Sequence, residues 1–215
     1  MGPYFDDGGR ELRFSISLAS KRFVLFVLIT AVSISRLSVI ADESGGEFKM
    51  VTMKTSFGVI ELELDAGSAP VTVQNFTEYV ESGHYNGTLF HRVIPGFMIQ
   101  GGGMGEGLIE RQTRVPIENE ADNGLRNLRG SIAMARTNEP QSATAQFFIN
   151  LNDNSFLDHS EKTSAGWGYA VFGKVISGLN IVDEIAAVKT GSVGNHDDVP
   201  LEDVLLEHIT ILGGQ

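Results

Sequence analysis

An arginine and a glutamine stand inside a mostly apolar stretch, Phe90-His91-Arg92-Val93-Ile94-Pro95-Gly96-Phe97-Met98-Ile99-Gln100, which runs on into Gly101-Gly102-Gly103. A guanidinium among apolar side chains is costly to bury unless it has a task or a partner. Two readings therefore compete. Arg92 is either a structural cation paired with a carboxylate elsewhere in the core, or a cation held beside a dry pocket to act on a bound group. The chemistry open to it is electrostatic, because its charge is permanent and its planar fork donates hydrogen bonds in fixed directions. The pattern up to Pro95 is that of a strand, Pro95-Gly96 is that of a turn, and Phe97 to Gln100 begins a second extended run. Alternation places Arg92 on one face with Phe90 and Ile94, and Met98 on one face with Gln100.

Other constellations carry less chemistry. His84, His91 and His159 lack metal-ligand spacing, and His91 beside Arg92 reads as a satisfied core histidine. Glu118-Asn119-Glu120-Ala121-Asp122 imitates a calcium loop. Its sixth position is Asn123 instead of glycine and its twelfth is Arg129 instead of glutamate, so a solvated loop is expected. Gly101-Gly102-Gly103-Met104-Gly105 has neither the dinucleotide spacing nor a phosphate-binding lysine. Those glycines are expected to allow a close approach to the backbone or to take positive φ. Asn75-Phe76-Thr77 and Asn86-Gly87-Thr88 match the glycosylation acceptor pattern, which is short enough to arise by chance.

Composition narrows the class. The 215 residues carry a net charge of -11, and from Asp42 onward 11 Lys and Arg stand against 24 Asp and Glu. Such a surface repels phosphate backbones, and no basic patch with interleaved aromatics is visible, so nucleic acid is excluded as a partner. There is no cysteine, which removes disulfide scaffolds and thiolate chemistry and says nothing of compartment.

Residues 1–41 differ in kind from the rest. Arg10, Arg13, Lys21 and Arg22 precede an apolar run from Phe23 to Ile34, too short for a span of about 20 residues. The run suits a secretory signal peptide, with Val39-Ile40-Ala41 before Asp42 as a cleavage point. The length of the leader, its early acids Asp6, Asp7 and Glu11, and Arg36 after the apolar run keep two alternatives open. One is an uncleaved N-terminal anchor; the other is a start at Met50 and a cytoplasmic domain. Export, to a periplasm-like compartment, is the favoured expectation. A linker over 42–49 then leads into one well-cored domain over 50–215.

Within that domain Val51 to Thr55 and Val59 to Leu64 read as a hairpin through Ser56-Phe57-Gly58. In its second strand Ile60, Leu62 and Leu64 alternate with Glu61 and Glu63. Pro70 suits a helix start, Val73, Phe76 and Val80 form an apolar stripe, and Gly83 ends it. Further strands are expected at Ser131 to Ala135, Gln146 to Asn150, Ala170 to Val175 and around Leu205 to Ile211, with a second helix over Leu179 to Val188. Gly103 to Gly130 is polar and turn-rich. Many short strands with two isolated helices imply a mainly β, closed architecture instead of βαβ units.

The stretch around Arg92 resembles the signature of the cyclophilin family of peptidyl-prolyl isomerases, in particular its bacterial members. Ser142-Ala143-Thr144-Ala145-Gln146-Phe147-Phe148-Ile149-Asn150 is similar to the second signature. Gly130 to Arg136, Phe156-Leu157-Asp158 and Tyr169 to Val175 follow in the family's order. The resemblance runs from about Met50 to Gly213. It implies an eight-stranded antiparallel β-barrel, closed and capped at each end by a helix, and rotamase activity on X–Pro bonds in polypeptides, assisting folding. Such rotation meets a barrier of about 20 kcal/mol but breaks no bond, so no metal or cofactor is required. The enzyme must bind the twisted amide better than either planar form. By resemblance Arg92 and Gln100 are the catalytic residues, and Phe97, Met98, Ala135, Arg136, Gln146, Phe148, Phe156, Leu157 and Tyr169 bind substrate. Phe156 stands where many eukaryotic members have tryptophan, Tyr169 where they have histidine, and Arg136 where they have asparagine. The first departure weakens the case for binding a cyclosporin-type inhibitor, because the indole donor is gone.

The partners expected are unfolded or extended proline-containing polypeptides met by a monomer, without nucleic acid or metal, and with a membrane only if the leader is retained as an anchor. A non-catalytic proline-binding or chaperone module is the rival reading, and it would not need the cation. A metal- or sugar-binding β-barrel is a third, which tight metal uptake would mark.

Overall fold

The structure is a computed structural model, and it describes residues 48–212. The leader and most of the linker lie outside the described residues. In chain order the elements are β1 (Phe48–Thr55), β2 (Gly58–Asp65), α1 (Pro70–Glu81), β3 (Thr88–Leu89), β4 (Arg92–Ile94) and β5 (Met98–Gly101). They continue with β6 (Ser131–Met134), β7 (Phe147–Asn150), β8 (Val171–Ser177), α2 (Leu179–Ala186), β9 (Thr190–Val193), β10 (His196–Pro200) and β11 (Leu205–Leu212). Phe48 and Lys49, expected in the linker, already pair with Asp65 and Leu64.

Nine strands form one antiparallel sheet in the order β3-β11-β1-β2-β8-β6-β7-β5-β4, and β9 and β10 form a separate two-stranded ribbon. The expected class, mainly β with two helices, is what the chain adopts. Closure into eight strands is not: the sheet is curled and open, with no ladder between its terminal strands β3 and β4. Only Phe90 and His91 separate those strands in the chain, so the sheet curls back toward its own start. The chain breaks its pairing there because Phe90 leaves the edge. Its N–H donates to the Val204 carbonyl (2.9 Å) and its ring enters the main core.

The alternation of β2 decides which side is the core. Ile60, Leu62 and Leu64 are fully buried there with Val51 and Met53 of β1, while Glu61 and Glu63 face out half-buried. Helix α1 starts at Pro70, where a missing N–H costs nothing. It buries Val73, Phe76, Tyr79 and Val80. Phe76 packs against Tyr85, Phe147 and Phe172 at 5.0, 5.7 and 5.3 Å between ring centroids. From α2, Val182 and Ile185 enter the same core. Together the two helices plug the curled sheet.

Ala69 precedes α1 without a capping side chain. The free N–H groups of Val71 and Thr72 instead donate to the Glu120 carboxylate at 3.0 and 2.8 Å. The segment expected to be a solvated loop is therefore a helix cap reaching in from 48 residues away, and such a cap stabilises by about 1 kcal/mol. Asn119 beside it is buried, donating to the carbonyls of Pro140 and Gly168.

Candidate active site

Arg92 on β4 lies directly opposite Gln100 on β5, and Gln100 lies opposite Phe148 on β7. Phe148 in turn pairs with Ala133 on β6. These ladders carry the expected faces of β5 into one place, since Met98 and Gln100 look one way and Ile99 looks into the main core. On β4, Arg92 and Ile94 share the site side as expected. Phe90 does not join them, because the strand begins only at Arg92.

The result is a cavity of about 120 Å³ lined by Arg92, Phe97, Met98, Gln100, Ala135, Arg136, Phe148, Leu157 and Tyr169. Its apolar wall is a small second core of Met98, Ala133, Phe148, Leu157 and Val171. Loops bring the remaining members. The Asn154 amide and the Leu151 N–H both donate to the Phe97 carbonyl at 2.9 Å. The Tyr169 N–H donates to the Leu157 carbonyl (2.9 Å), setting the two side by side. Tyr169 meets Phe148 edge to face at 5.7 Å. Arg136 lies over the Tyr169 ring at 4.6 Å and donates from Nε to the Gly168 carbonyl (2.9 Å) and from Nη1 to the Thr137 carbonyl (2.8 Å). Arg136, expected to bind substrate, thus also clamps one wall of the cavity.

Two expected members stand apart from the cavity. Gln146 is one step back: its Oε1 accepts from the Gln100 Nε2 at 2.8 Å, so it holds Gln100 instead of lining the slot. The Gln100 amide is thereby turned toward Gln146. Phe156 stacks on the outer face of Phe97 at 5.7 Å and is 73% exposed, placing it at the rim. Two of the glycines serve this arrangement. A Cβ at Gly103 would come within 2.4 Å of the Gln146 side chain, and Gly102 takes φ +83° against Phe147 and Tyr85. The close approach is to the chain's own Gln146.

His91, expected to be satisfied, is buried with Nδ1 lacking any hydrogen-bond partner. Burial lowers its pKa to about 4, aided by the charges of His196 and Arg92 and opposed by the Leu89 backbone and Gln146 side chain. It is neutral at pH 7. Among the described residues no three His, Asp or Glu side chains gather as metal ligands.

The sequence reading missed one group. Asp198 of the β9–β10 ribbon reaches Arg92, its Oδ2 standing 3.5 Å from Nε, with both side chains about 40% exposed. The carboxylate partner exists, at the surface and not in the core, so Arg92 is half-buried and free of the cost first feared. Gly194-Asn195 between two β-prone runs was the available signal for that hairpin.

A slot with two guanidiniums on its lining, Arg92 and Arg136, and no nucleophile suits a reaction in which charge shifts but no bond is made. The comparisons name that reaction. Residues 50–211 match the family model described as cyclophilin type peptidyl-prolyl cis-trans isomerase/CLD. A peptidyl-prolyl cis-trans isomerase of Streptomyces antibioticus is 59% identical over 76% of this chain and 98% of its own length. Peptidyl-prolyl cis-trans isomerase A of Dickeya dadantii is 49% identical over 90% of this chain and 98% of its own. Isomerase B of Escherichia coli is 54% identical over 75% and 99%. Among solved structures, the cyclophilin type isomerase of Cryptosporidium parvum matches with a TM-score of 0.62 at 25% identity, over 79% of this chain and all of its own. The same protein crystallised in the presence of the dipeptide Ala-Pro matches with a TM-score of 0.61. The chain belongs to the cyclophilin-type peptidyl-prolyl cis-trans isomerases, and it catalyses rotation about the bond preceding proline.

Proposed function

We propose that the Arg92 guanidinium donates a hydrogen bond to the prolyl nitrogen as the amide twists, while the adjoining cavity grips the pyrrolidine ring. Twisting takes the nitrogen lone pair out of resonance, and a donor placed there is worth more to the twisted form than to either planar one. The observation that carries this reading is the register: Arg92, Gln100 and Phe148 lie in one row across β4, β5 and β7. Gln100, held by Gln146, offers its carbonyl oxygen to a substrate backbone N–H. The substrates are extended or unfolded proline-containing polypeptides, consistent with a slot of about 120 Å³ that holds little more than one ring.

Phe148 tests the grip. It is 4% exposed in the free protein and forms the floor of the slot. Phe148→Ala is expected to raise KM and lower kcat together, by about 10- to 100-fold in kcat/KM, the worth of one buried aromatic contact. A protease-coupled assay on a short proline peptide reads both, with circular dichroism confirming that the variant is folded. An unchanged KM would place the ring elsewhere.

The leader is read as an export signal, supported by the basic residues before Phe23 to Ile34 and the small residues before Asp42. N-terminal sequencing of the mature product is expected to begin near Asp42. A product beginning at Met1 indicates a retained anchor, and one at Met50 a cytoplasmic enzyme.

A further inference from the structure

We infer that Asp198 is a positioning residue for Arg92, and that the β9–β10 ribbon exists in this fold to deliver it. The inference rests on the role proposed for Arg92. The ribbon stands outside the nine-stranded sheet, so nothing in the sheet's own pairing requires it. Its register slips between His196 and Val199, leaving Asp197 and Asp198 in a bulge, a device that re-aims a side chain. Asp198 takes φ +60°, a left-handed conformation that non-glycine residues adopt at a cost, and aspartate and asparagine most readily. The strain is held from both sides. Asp197 accepts a hydrogen bond from the Ser192 hydroxyl (2.6 Å), and Val199 and Pro200 are buried directly after the bulge. The strained residue is the one that places its carboxylate 3.5 Å from Arg92 Nε.

The chemical consequence follows from the shape of a guanidinium. A carboxylate engaging the Nε edge leaves the terminal N–H groups free and restricts rotation of the planar fork. Arg92 has a flexible stem and is half exposed, so without that contact its fork samples directions that miss the slot. Asp198 itself is not part of the cavity wall. Its removal should therefore slow the chemical step and leave ground-state binding alone.

The test is a double-mutant cycle on the full chain with a proline peptide. Asp198→Asn keeps a residue tolerant of φ +60°, and Asp198→Gly keeps the backbone with no side chain at all. Each is expected to lower kcat about three- to fivefold, the scale of a half-exposed ion pair, with KM unchanged. In an Arg92→Ala background the same substitutions should have no effect, because the residue they act through is gone. Wild-type kcat in either single variant overturns the inference, as does an equal loss in the Arg92→Ala background, which would mark a merely structural role. Arg92→Ala turning over at the wild-type rate overturns the Arg92 reading and this one with it. Slow Arg92→Ala alongside fast Asp198→Asn overturns this one alone.

Discussion

Arg92→Ala is expected to lower kcat about 10²–10³-fold, roughly 3–4 kcal/mol of lost transition-state stabilisation. KM for a short proline peptide should change little. The argument is differential. In the planar amide the prolyl nitrogen has little basicity, so a guanidinium nearby contributes almost nothing to ground-state binding. In the twisted amide the lone pair is localised and the same donor is strongly engaged. The ring's hold on the slot is supplied by Phe97, Met98, Phe148 and Leu157, all of which survive the substitution. Arg92→Lys separates charge from geometry. It keeps a cation but replaces the planar fork with a point charge on a flexible stem, and it should recover only part of the loss. Single-turnover rates with a proline peptide, alongside binding of the same peptide by calorimetry, divide the two effects. If Arg92→Ala isomerises at full rate, or loses affinity and rate in equal measure, the cation is not acting on the twisted bond.

The role of Arg92 was framed from the family resemblance, but its placement was legible because that signal is local. Arg92, Met98 and Gln100 lie within a single strand-turn-strand unit, so alternation and one Pro-Gly turn suffice to set their faces. The two helices were legible for a similar reason: Pro70 and the stripe Val73, Phe76, Val80 mark α1 within a residue or two of its ends. What could not be read locally was lost. Asp198 is more than a hundred residues from Arg92 and sits in an unalternating bulge, whose irregularity removes the period that identifies strands. Glu120 was taken for solvent because its task, capping α1, depends on a contact across 48 residues. Phe90 was placed with Arg92 by a period of two that holds only inside a strand, and the strand starts two residues later. Gln146 and Phe156 were assigned by resemblance to the substrate contact surface. The geometry gives one a supporting position behind Gln100 and the other a place at the rim.

His91 carries the second large expectation, and it concerns stability. Its imidazole is 7% exposed and its Nδ1 has no partner, so the folded state admits the neutral ring and penalises the charged one. Its pKa falls from the ordinary 6.5 to about 4, chiefly through burial. Between those two values the unfolded chain holds a proton that the folded chain lacks, so stability must fall as pH falls through this window and level off below it. The loss amounts to on the order of 3 kcal/mol from this one group. His84, also lowered by burial, adds in the same direction. The half-buried carboxylate Asp158 is held below its ordinary 3.8, against the effect of burial, by hydrogen bonds from Asn127 and Arg126, so the stability it contributes is lost at lower pH than that of the histidines. Urea denaturation at pH 7, 6, 5 and 4 should show wild-type stability declining across the series. His91→Gln, which keeps a polar side chain but does not titrate, should flatten most of that slope even if it is less stable at pH 7. Equal slopes in the two proteins would assign the pH dependence elsewhere. The consequence for the site is direct. Protonating His91 sets a second cation beside Arg92 and disturbs Gln146, which holds Gln100. Activity should therefore decline near pH 4, where the folded protein takes up the proton and the stability loss levels off, and not at the 6.5 expected of a catalytic histidine.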